Sequence, residues 1–140
     1  MTLSLDSNVL IDLANEREPS VRENFKAAVA AGERLATCSL CAYEFLYGAA
    51  VSRRPGLQRG IARAVLGQLQ IVEFNEADAI AAAQLRATLK ARGTPIGEFD
   101  ALIAGQALGR GWTVVTANVR EFTLVPALAC LNWREAPESP

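Results

Sequence analysis

Three acidic residues stand close to points where strand patterns give way to helical ones. Asp6 follows the apolar alternation of Leu3 and Leu5, and Glu44 falls in the first turn of a helix predicted to begin at Cys41. In an open parallel sheet, ligands bind beyond the carboxyl ends of the strands. Asp100 opens the apolar helix of PIGEFDALIAGQAL, residues 95–108. Its helix leads into a strand and not out of one, so the same rule locates it less directly.

Two further polar residues lie at and just after the end of the strand pattern WTVVTAN, residues 112–118. Asn118 ends this pattern and Glu121 comes three residues later. Each polar residue also has an ordinary interpretation as a helix cap, a turn residue or a first-turn acid favoured by the helix dipole. Taken together they predict a cluster of carboxylates, whose mutual repulsion near pH 7 a bound cation would relieve.

The sequence contains no histidine. This excludes Ser-His-Asp and Cys-His catalysis and transition-metal sites built on imidazole. The oxygen ligands that remain suit Mg²⁺ or Mn²⁺. An ion held in this way can activate water and neutralise charge on a phosphate, so hydrolysis of a phosphodiester is the chemistry we expect. No GxxxxGK[ST] or GxGxxG motif is present, which argues against a nucleotide-binding ATPase or a dehydrogenase.

The composition predicts one soluble globular domain. The chain has 140 residues, of which 51% are hydrophobic and 21% charged. No apolar run approaches the roughly 20 residues of a membrane span, and MTLSLDSN does not resemble a signal peptide. The odd number of cysteines favours a cytoplasmic location over a disulfide-linked secreted protein. Cys38 and Cys41 form a CxxC pair, which we interpret as small core residues, with zinc or redox chemistry as the alternative.

The alternation of strand and helix patterns predicts an α/β domain with a mainly parallel sheet flanked by helices. We assign the domain to residues 1–135 and a flexible tail to residues 136–140. Ser20 and Glu23 are predicted to form a capping box. Strands are predicted at 3–5, 34–40, 70–74, 112–118 and near 130–133; helices after residue 8 and at 20–32, 41–53, 57–69, 76–93 and about 97–108; and a turn at 119–122.

The net charge of −1 does not predict a general affinity for nucleic acid, but the charges are unevenly distributed. Arg53, Arg54, Arg59 and Arg63 fall in one segment without an intervening acid. This segment is either a solvated helix face or a local patch that contacts phosphate.

Three stretches of the chain resemble the PIN-domain ribonucleases, specifically the VapC toxins of bacterial toxin–antitoxin pairs. They are LDSNVLIDL, CSLCAYEFLYGA and IGEFDALIAGQALGRGWTVVTANVREFTLVPALACLNW, and their order and spacing match over nearly the whole chain. The first and third are specific in combination, whereas the second is weak alone.

The resemblance implies a role for each residue of the site. Asp6, Glu44 and Asp100 correspond to metal ligands, and Thr116 to a hydroxyl that supports a metal-bound water. Many family members have Asp where this chain has Asn118, so Glu121 is the best candidate for the fourth acidic position. The resemblance further implies RNA cleavage leaving a 3′-hydroxyl and a 5′-phosphate, a homodimer, and a VapB-type antitoxin that directs a basic side chain into the acidic pocket.

Two other functions stay open at this point. A PIN-like domain that has lost activity and acts as a binding module through its partner would fit the missing aspartate at 118. A receiver-type domain phosphorylated on Asp6 would need a lysine in a nearby loop, but Lys26 and Lys90 both lie in predicted helices.

Overall fold

The computed structural model describes residues 1–137 and contains a five-stranded sheet. All of the strand pairings are parallel. The strands are β1 (Thr2–Leu5), β2 (Arg34–Cys38), β3 (Gln70–Val72), β4 (Thr113–Val115) and β5 (Cys130–Leu131). The predicted single α/β domain with a parallel sheet is therefore confirmed.

Helices connect the strands and cover the sheet. Most of them bury apolar residues at helical spacing, such as Val21, Phe25 and Ala28 of the second helix. They are α1 (Ser7–Asn15), α2 (Pro19–Ala30), α3 (Ser39–Ala50), α4 (Pro55–Leu66), α5 (Glu76–Ala91), α6 (Glu98–Arg110) and α7 (Val119–Phe122). Within residues 1–137, none of these helices has the length and apolar character needed to cross a membrane.

The order of the strands places later strands on the opposite side of β1 from the earlier ones. The order is β3-β2-β1-β4-β5, so the chain adds strands on one side of β1 and later returns to pair β4 on the other side. Leu5 of β1 is in register with Val115 of β4. A crevice beyond the carboxyl ends of β1 and β4 is the expected ligand position in such a sheet.

The pair α5 and α6 fixes the position of the helix that carries Asp100. A Cβ atom added to Gly105 would lie 2.5 Å from Cα of Ala82, so the two backbones approach more closely than a larger residue allows. Gln106 and Arg110 of α6 both bond the buried carboxylate of Asp78 on α5. Burial alone would raise the pKa of Asp78, but these bonds and the capping bond from Asn75 lower it.

Several predicted helix boundaries are wrong. Helix α2 begins at Pro19, with Glu18 as N-cap and no side-chain cap, because proline is well suited to the first helical position. The hydroxyl of Ser20 instead donates to the carbonyl of Arg134, so the predicted capping box does not form. Helix α3 begins at Ser39, which puts Glu44 in its second turn and not its first.

The C-terminal part of the described chain packs back onto α1 and α2. The guanidinium of Arg134 donates two hydrogen bonds to the buried carboxylate of Asp12, and the rings of Trp133 and Phe25 pack edge to face. The boundary at residue 135 and the tail stay predictions: residues 136 and 137 have no regular structure, and residues 138–140 lie outside the described residues.

Candidate active site

Asp6 is the most buried carboxylate of the site, with 4% of its surface exposed. It follows β1 directly and caps α1, where its Oδ1 accepts the backbone N–H of Ser7 at 2.8 Å. Its Oδ2 accepts the hydroxyl of Thr116 at 2.9 Å and the side-chain amide of Asn8 at 3.2 Å. Both oxygens are therefore held by neighbours, and the carboxylate has one fixed orientation.

The loop after β4 is tied to the loop after β1. Asn8 accepts the backbone N–H of Ala117 at 3.0 Å, and the Thr116 hydroxyl accepts the backbone N–H of Asn118 at 3.0 Å. Thr116 is completely buried, and its hydroxyl holds Asp6. The polar residues that follow β1 and β4 are thus joined to one another by hydrogen bonds.

Asp100 and Glu121 meet at a single amide. The side-chain nitrogen of Asn118 donates to Oδ2 of Asp100 at 3.1 Å and to Oε2 of Glu121 at 2.9 Å. The other oxygen of Glu121 accepts the backbone N–H of Gly97, the N-cap of α6, at 2.6 Å. The predicted turn at 119–122 is the short helix α7, which carries Glu121 back towards α6. Asn118 and Glu121 therefore occupy the site together.

Glu44 reaches the same region from α3 but is exposed to solvent. Its carboxylate accepts a hydrogen bond from the hydroxyl of Ser7, whose backbone N–H also donates to Asp6. Ser7 therefore links the two acids. The four predicted acids and both predicted supporting residues lie at the carboxyl edge of the sheet. Within residues 1–137 they form bonded groups, Asp6 with Thr116 and Asp100 with Asn118 and Glu121, and not one closed cluster of carboxylates, so their role as metal ligands stays a prediction.

The pKa values report strong coupling between these acids. The pKa of Asp100 is raised to about 7, first by burial, then by its hydrogen bond to Glu121 and by the negative charges of Glu121, Asp6 and Glu44. The same bond, with those from Asn118 and Gly97, lowers the pKa of Glu121. Burial is also the main reason why the pKa of Asp6 is raised, with Glu44 adding to it. The pKa values of the two acids are thus shifted in opposite directions, that of Asp100 up and that of Glu121 down.

The side chains present suit a hard divalent cation in chemistry, although they do not form a finished coordination shell. Among residues 1–137, no three acidic or cysteine side chains converge closely enough to make a ready-made metal site. In the same part of the chain, no lysine or arginine forms an ion pair with Asp6, Glu44, Asp100 or Glu121. The negative charge that raises the pKa of Asp100 is therefore left for a cation to neutralise.

Four contributors to the site were not identified from the sequence. Ser7 and Asn8 hold Glu44 and Asp6, and the backbone of Gly97 holds Glu121. The segment Asp6-Ser7-Asn8 carried a signal, since all three residue types bond nearby groups. The buried thiol of Cys41 lies 3.8 Å from Oδ1 of Asp6, and Cys38 is also buried. Their predicted place in the core is confirmed, and nothing in the CxxC spacing indicated the contact with Asp6.

The chain matches known proteins over almost its whole length. A family model described as the PIN domain matches residues 3–128. The chain is 33% identical to the tRNA(fMet)-specific endonuclease VapC of Salmonella typhimurium over 92% of this chain and 96% of that protein. It is 29% identical to ribonuclease VapC2 of Rickettsia felis over 95% of this chain and 98% of that protein.

Solved structures of two VapBC complexes have the same fold as this chain. The model superposes on the DNA-bound VapBC complex of Salmonella typhimurium with a TM-score of 0.86, at 32% identity over 95% of this chain and 98% of that chain. For the VapBC2 complex of Rickettsia felis, crystallised with a fragment of its promoter, the TM-score is 0.88 at 28% identity, over 95% of this chain and 99% of that one.

Proposed function

Since the chain belongs to the PIN-domain family and, within it, to the VapC ribonucleases, we propose that it is a metal-dependent endoribonuclease toxin. The observation that carries the proposal is the pair Asp100 and Glu121, joined by the amide of Asn118, at the same edge of the sheet as Asp6, which is held by Thr116. Glu44 is attached to Asp6 through Ser7. The family alone would allow an inactive domain. The raised pKa of Asp100 beside Glu121, with no lysine or arginine paired to any of the four acids among residues 1–137, favours a working metal site.

The proposed cofactor is Mg²⁺ or Mn²⁺, held by Asp6, Glu44, Asp100 and Glu121. Such an ion supplies an activated water and neutralises charge on the phosphate. The residues of the chain prepare its position: Thr116 and Asn8 orient Asp6, Asn118 and Gly97 orient Glu121, and Ser7 orients Glu44. The proposed products are a 3′-hydroxyl and a 5′-phosphate.

The proposed partners are an RNA substrate, a second copy of the chain in a homodimer, and a VapB-type antitoxin. Similarity to the VapBC complexes supports the antitoxin, and the name of the Salmonella relative makes a transfer RNA the first substrate to test. A basic antitoxin side chain directed at Asp100 and its neighbours would compete with the metal for the same negative charge. A cytoplasmic location is part of the proposal, since Cys38, Cys41 and Cys130 are free thiols.

The test is to express the chain with and without the neighbouring gene, to sequence the RNA ends that appear, and to repeat the experiment with Asp100→Asn. We expect new 5′-phosphate ends with the wild-type chain alone and none with the variant. Glu98→Gln is the matched control, because Glu98 lies in the same helical turn but is exposed and paired with Arg86 on the surface. Equal cleavage by the wild type and Asp100→Asn would refute the assignment.

The alternative function is a PIN-like binding module without activity, favoured by Asn118 in place of an aspartate and by the lack of a preformed cluster among residues 1–137. Metal binding separates the two. For the ribonuclease, EDTA removes cleavage, Mn²⁺ restores it, and a hundredfold excess of Mn²⁺ over its Kd adds about 2.7 kcal/mol to the free energy of unfolding. For the binding module, Mn²⁺ changes neither the melting temperature nor the cleavage.

A further inference from the structure

The basic segment forms a patch that the proposed active site does not use. Arg53 and Arg54 precede α4, and Arg59 and Arg63 lie one turn apart on it; all four are exposed. In the described part of the chain none of them pairs with a carboxylate, and residues 45–72 contain no acid at all. This surface therefore carries four uncompensated positive charges on a chain whose net charge is −1.

An exposed pair of aromatic rings lies on α3, the helix that forms the depression with α4. The rings of Tyr43 and Tyr47 on α3 are 66% and 59% exposed and stack on each other, with centroids 6.5 Å apart and planes 24° from parallel. Between α3 and α4 an open depression of about 520 Å³ is lined in part by Leu46, Ala50, Arg59 and Arg63. We name the combined feature the α3–α4 surface, formed by Tyr43, Leu46, Tyr47, Ala50, Arg59 and Arg63.

The α3–α4 surface begins next to the candidate active site. Glu44 and Tyr47 are three residues apart on α3, so their Cβ atoms are separated by about 5–6 Å. Both side chains are exposed, and no element has to move to connect them. A ligand that reaches Glu44 along α3 would therefore pass the tyrosines, and the depression that Arg59 and Arg63 line with Leu46 and Ala50 opens on the same helix.

We propose that the α3–α4 surface binds single-stranded RNA beside the catalytic acids, with Arg59 and Arg63 contacting phosphates and Tyr43 and Tyr47 stacking on bases. The inference rests on the proposed ribonuclease function and names where its substrate is held. Arginine side chains along a backbone path, together with aromatic rings for successive bases, are the features with which proteins bind single strands. The acids of the site repel phosphate when no metal is bound, and the basic surface of α4 supplies an attraction for RNA that does not depend on the metal.

A second copy of the chain is the competing occupant of this surface. A two-fold contact is self-complementary, so it sets the same patch of each copy against its equivalent. Arg59 and Arg63 of one copy would then face the same arginines of the other, without a carboxylate in residues 45–72 to separate them. Like charges in contact disfavour that arrangement, whereas RNA supplies the opposite charge.

The experiment measures RNA binding apart from cleavage. A fluorescein-labelled single-stranded RNA is titrated with the Asp100→Asn protein in EDTA, and anisotropy is read at 50 and 200 mM salt. The double variant Arg59→Glu/Arg63→Glu is compared with Arg17→Glu/Arg92→Glu, which changes the net charge equally at exposed positions outside the surface. Tyr43→Ala is compared with Tyr43→Phe, which keeps the ring. Analytical ultracentrifugation gives the oligomeric state of each variant.

We expect the Arg59/Arg63 variant to bind at least tenfold more weakly, and its salt slope to fall by about 1.4, which corresponds to two phosphate contacts on a single strand. The control pair should change affinity far less, and Tyr43→Phe should bind like the parent while Tyr43→Ala loses at least fivefold. Equal weakening by both arginine pairs would overturn the proposal, as would weakening that follows dissociation of a dimer. If the wild type binds through these residues but cleaves no RNA, the proposed function fails and the binding surface stands.

Discussion

Replacing Asp100 by asparagine should stabilise the metal-free protein above neutral pH. The pKa of Asp100 is about 7 in the folded state and 3.8 in an unperturbed chain. The folded protein therefore retains a proton that the unfolded chain releases between these two values. Stability from this group is fully present below about pH 4 and is lost as the pH rises through 7. Asparagine removes the cost of ionisation, because its side chain has no proton to release in this pH range.

The magnitude follows from the pKa difference and the exposure of the group. For a carboxyl isolated from solvent, the difference would correspond to about 4 kcal/mol. Asp100 is only half-buried, and solvent screening reduces the effect to about 1–2 kcal/mol. For a domain of this size each kcal/mol shifts the melting temperature by about 3 °C. We therefore expect Asp100→Asn to melt about 3–6 °C higher than the wild type at pH 8 and about 1–2 °C higher at pH 5, where the unfolded chain already releases the proton.

The assay is thermal unfolding in EDTA at pH 5.0, 6.5 and 8.0, with Glu98→Gln as the control that should show no comparable trend. Saturating Mn²⁺ should reverse the order at pH 8, because it stabilises only the chain that retains the ligand. A lower melting temperature for Asp100→Asn at pH 8 in EDTA would refute the electrostatic reasoning. A gain of the same size at pH 5 and pH 8 would also refute it, since ionisation would then not be the cause.

Three other substitutions test the elements that position the site. Gly105→Ala should lower the free energy of unfolding by about 1–3 kcal/mol in a denaturant titration, because its Cβ would lie 2.5 Å from the α5 backbone. Gly109→Ala is the control: its Cβ would lie 3.6 Å from the nearest side chain, so it should be neutral or slightly stabilising. Asp78→Ala should cost about 3–5 kcal/mol, measured the same way, because it leaves a guanidinium unpaired and removes the capping box of α5. Ser7→Ala should lower kcat about tenfold by releasing Glu44, with a melting temperature within about 3 °C of the wild type, and Ser7→Thr should retain most of the activity.

The sequence predicted the parts of the fold that depend on local patterns. Alternating strand and helix signals gave the parallel sheet, and the strand end before Asp6 gave the position of one acid. The predicted cap at Ser20 failed because its hydroxyl bonds Arg134, more than a hundred residues away, a contact that no local pattern encodes. Boundaries fixed by distant partners are beyond reach of a single sequence.

Asp100 shows how topology completes a prediction that local rules left open. Two antiparallel helices, α5 and α6, connect β3 to β4, and the close approach of Gly105 to Ala82 together with the bonds of α6 to Asp78 fixes α6 along α5. The N-terminal turn of α6 meets the loop that follows β4, as the bond between Asn118 and Asp100 records. An acid in the first turn before a strand and an acid at the end of a strand thus reach the same edge.

Asn118 and Glu121 have different roles at the fourth position of the site. An aspartate at 118 would add negative charge beside a carboxyl whose pKa is already about 7. The amide of Asn118 adds no charge and donates to both Asp100 and Glu121, so it draws the two acids together where a carboxylate would push them apart. Glu121 meanwhile contributes the negative charge, and the backbone of Gly97 fixes it in place. In this chain Glu121 therefore carries the charge at this position and the neutral amide of Asn118 bonds the two acids.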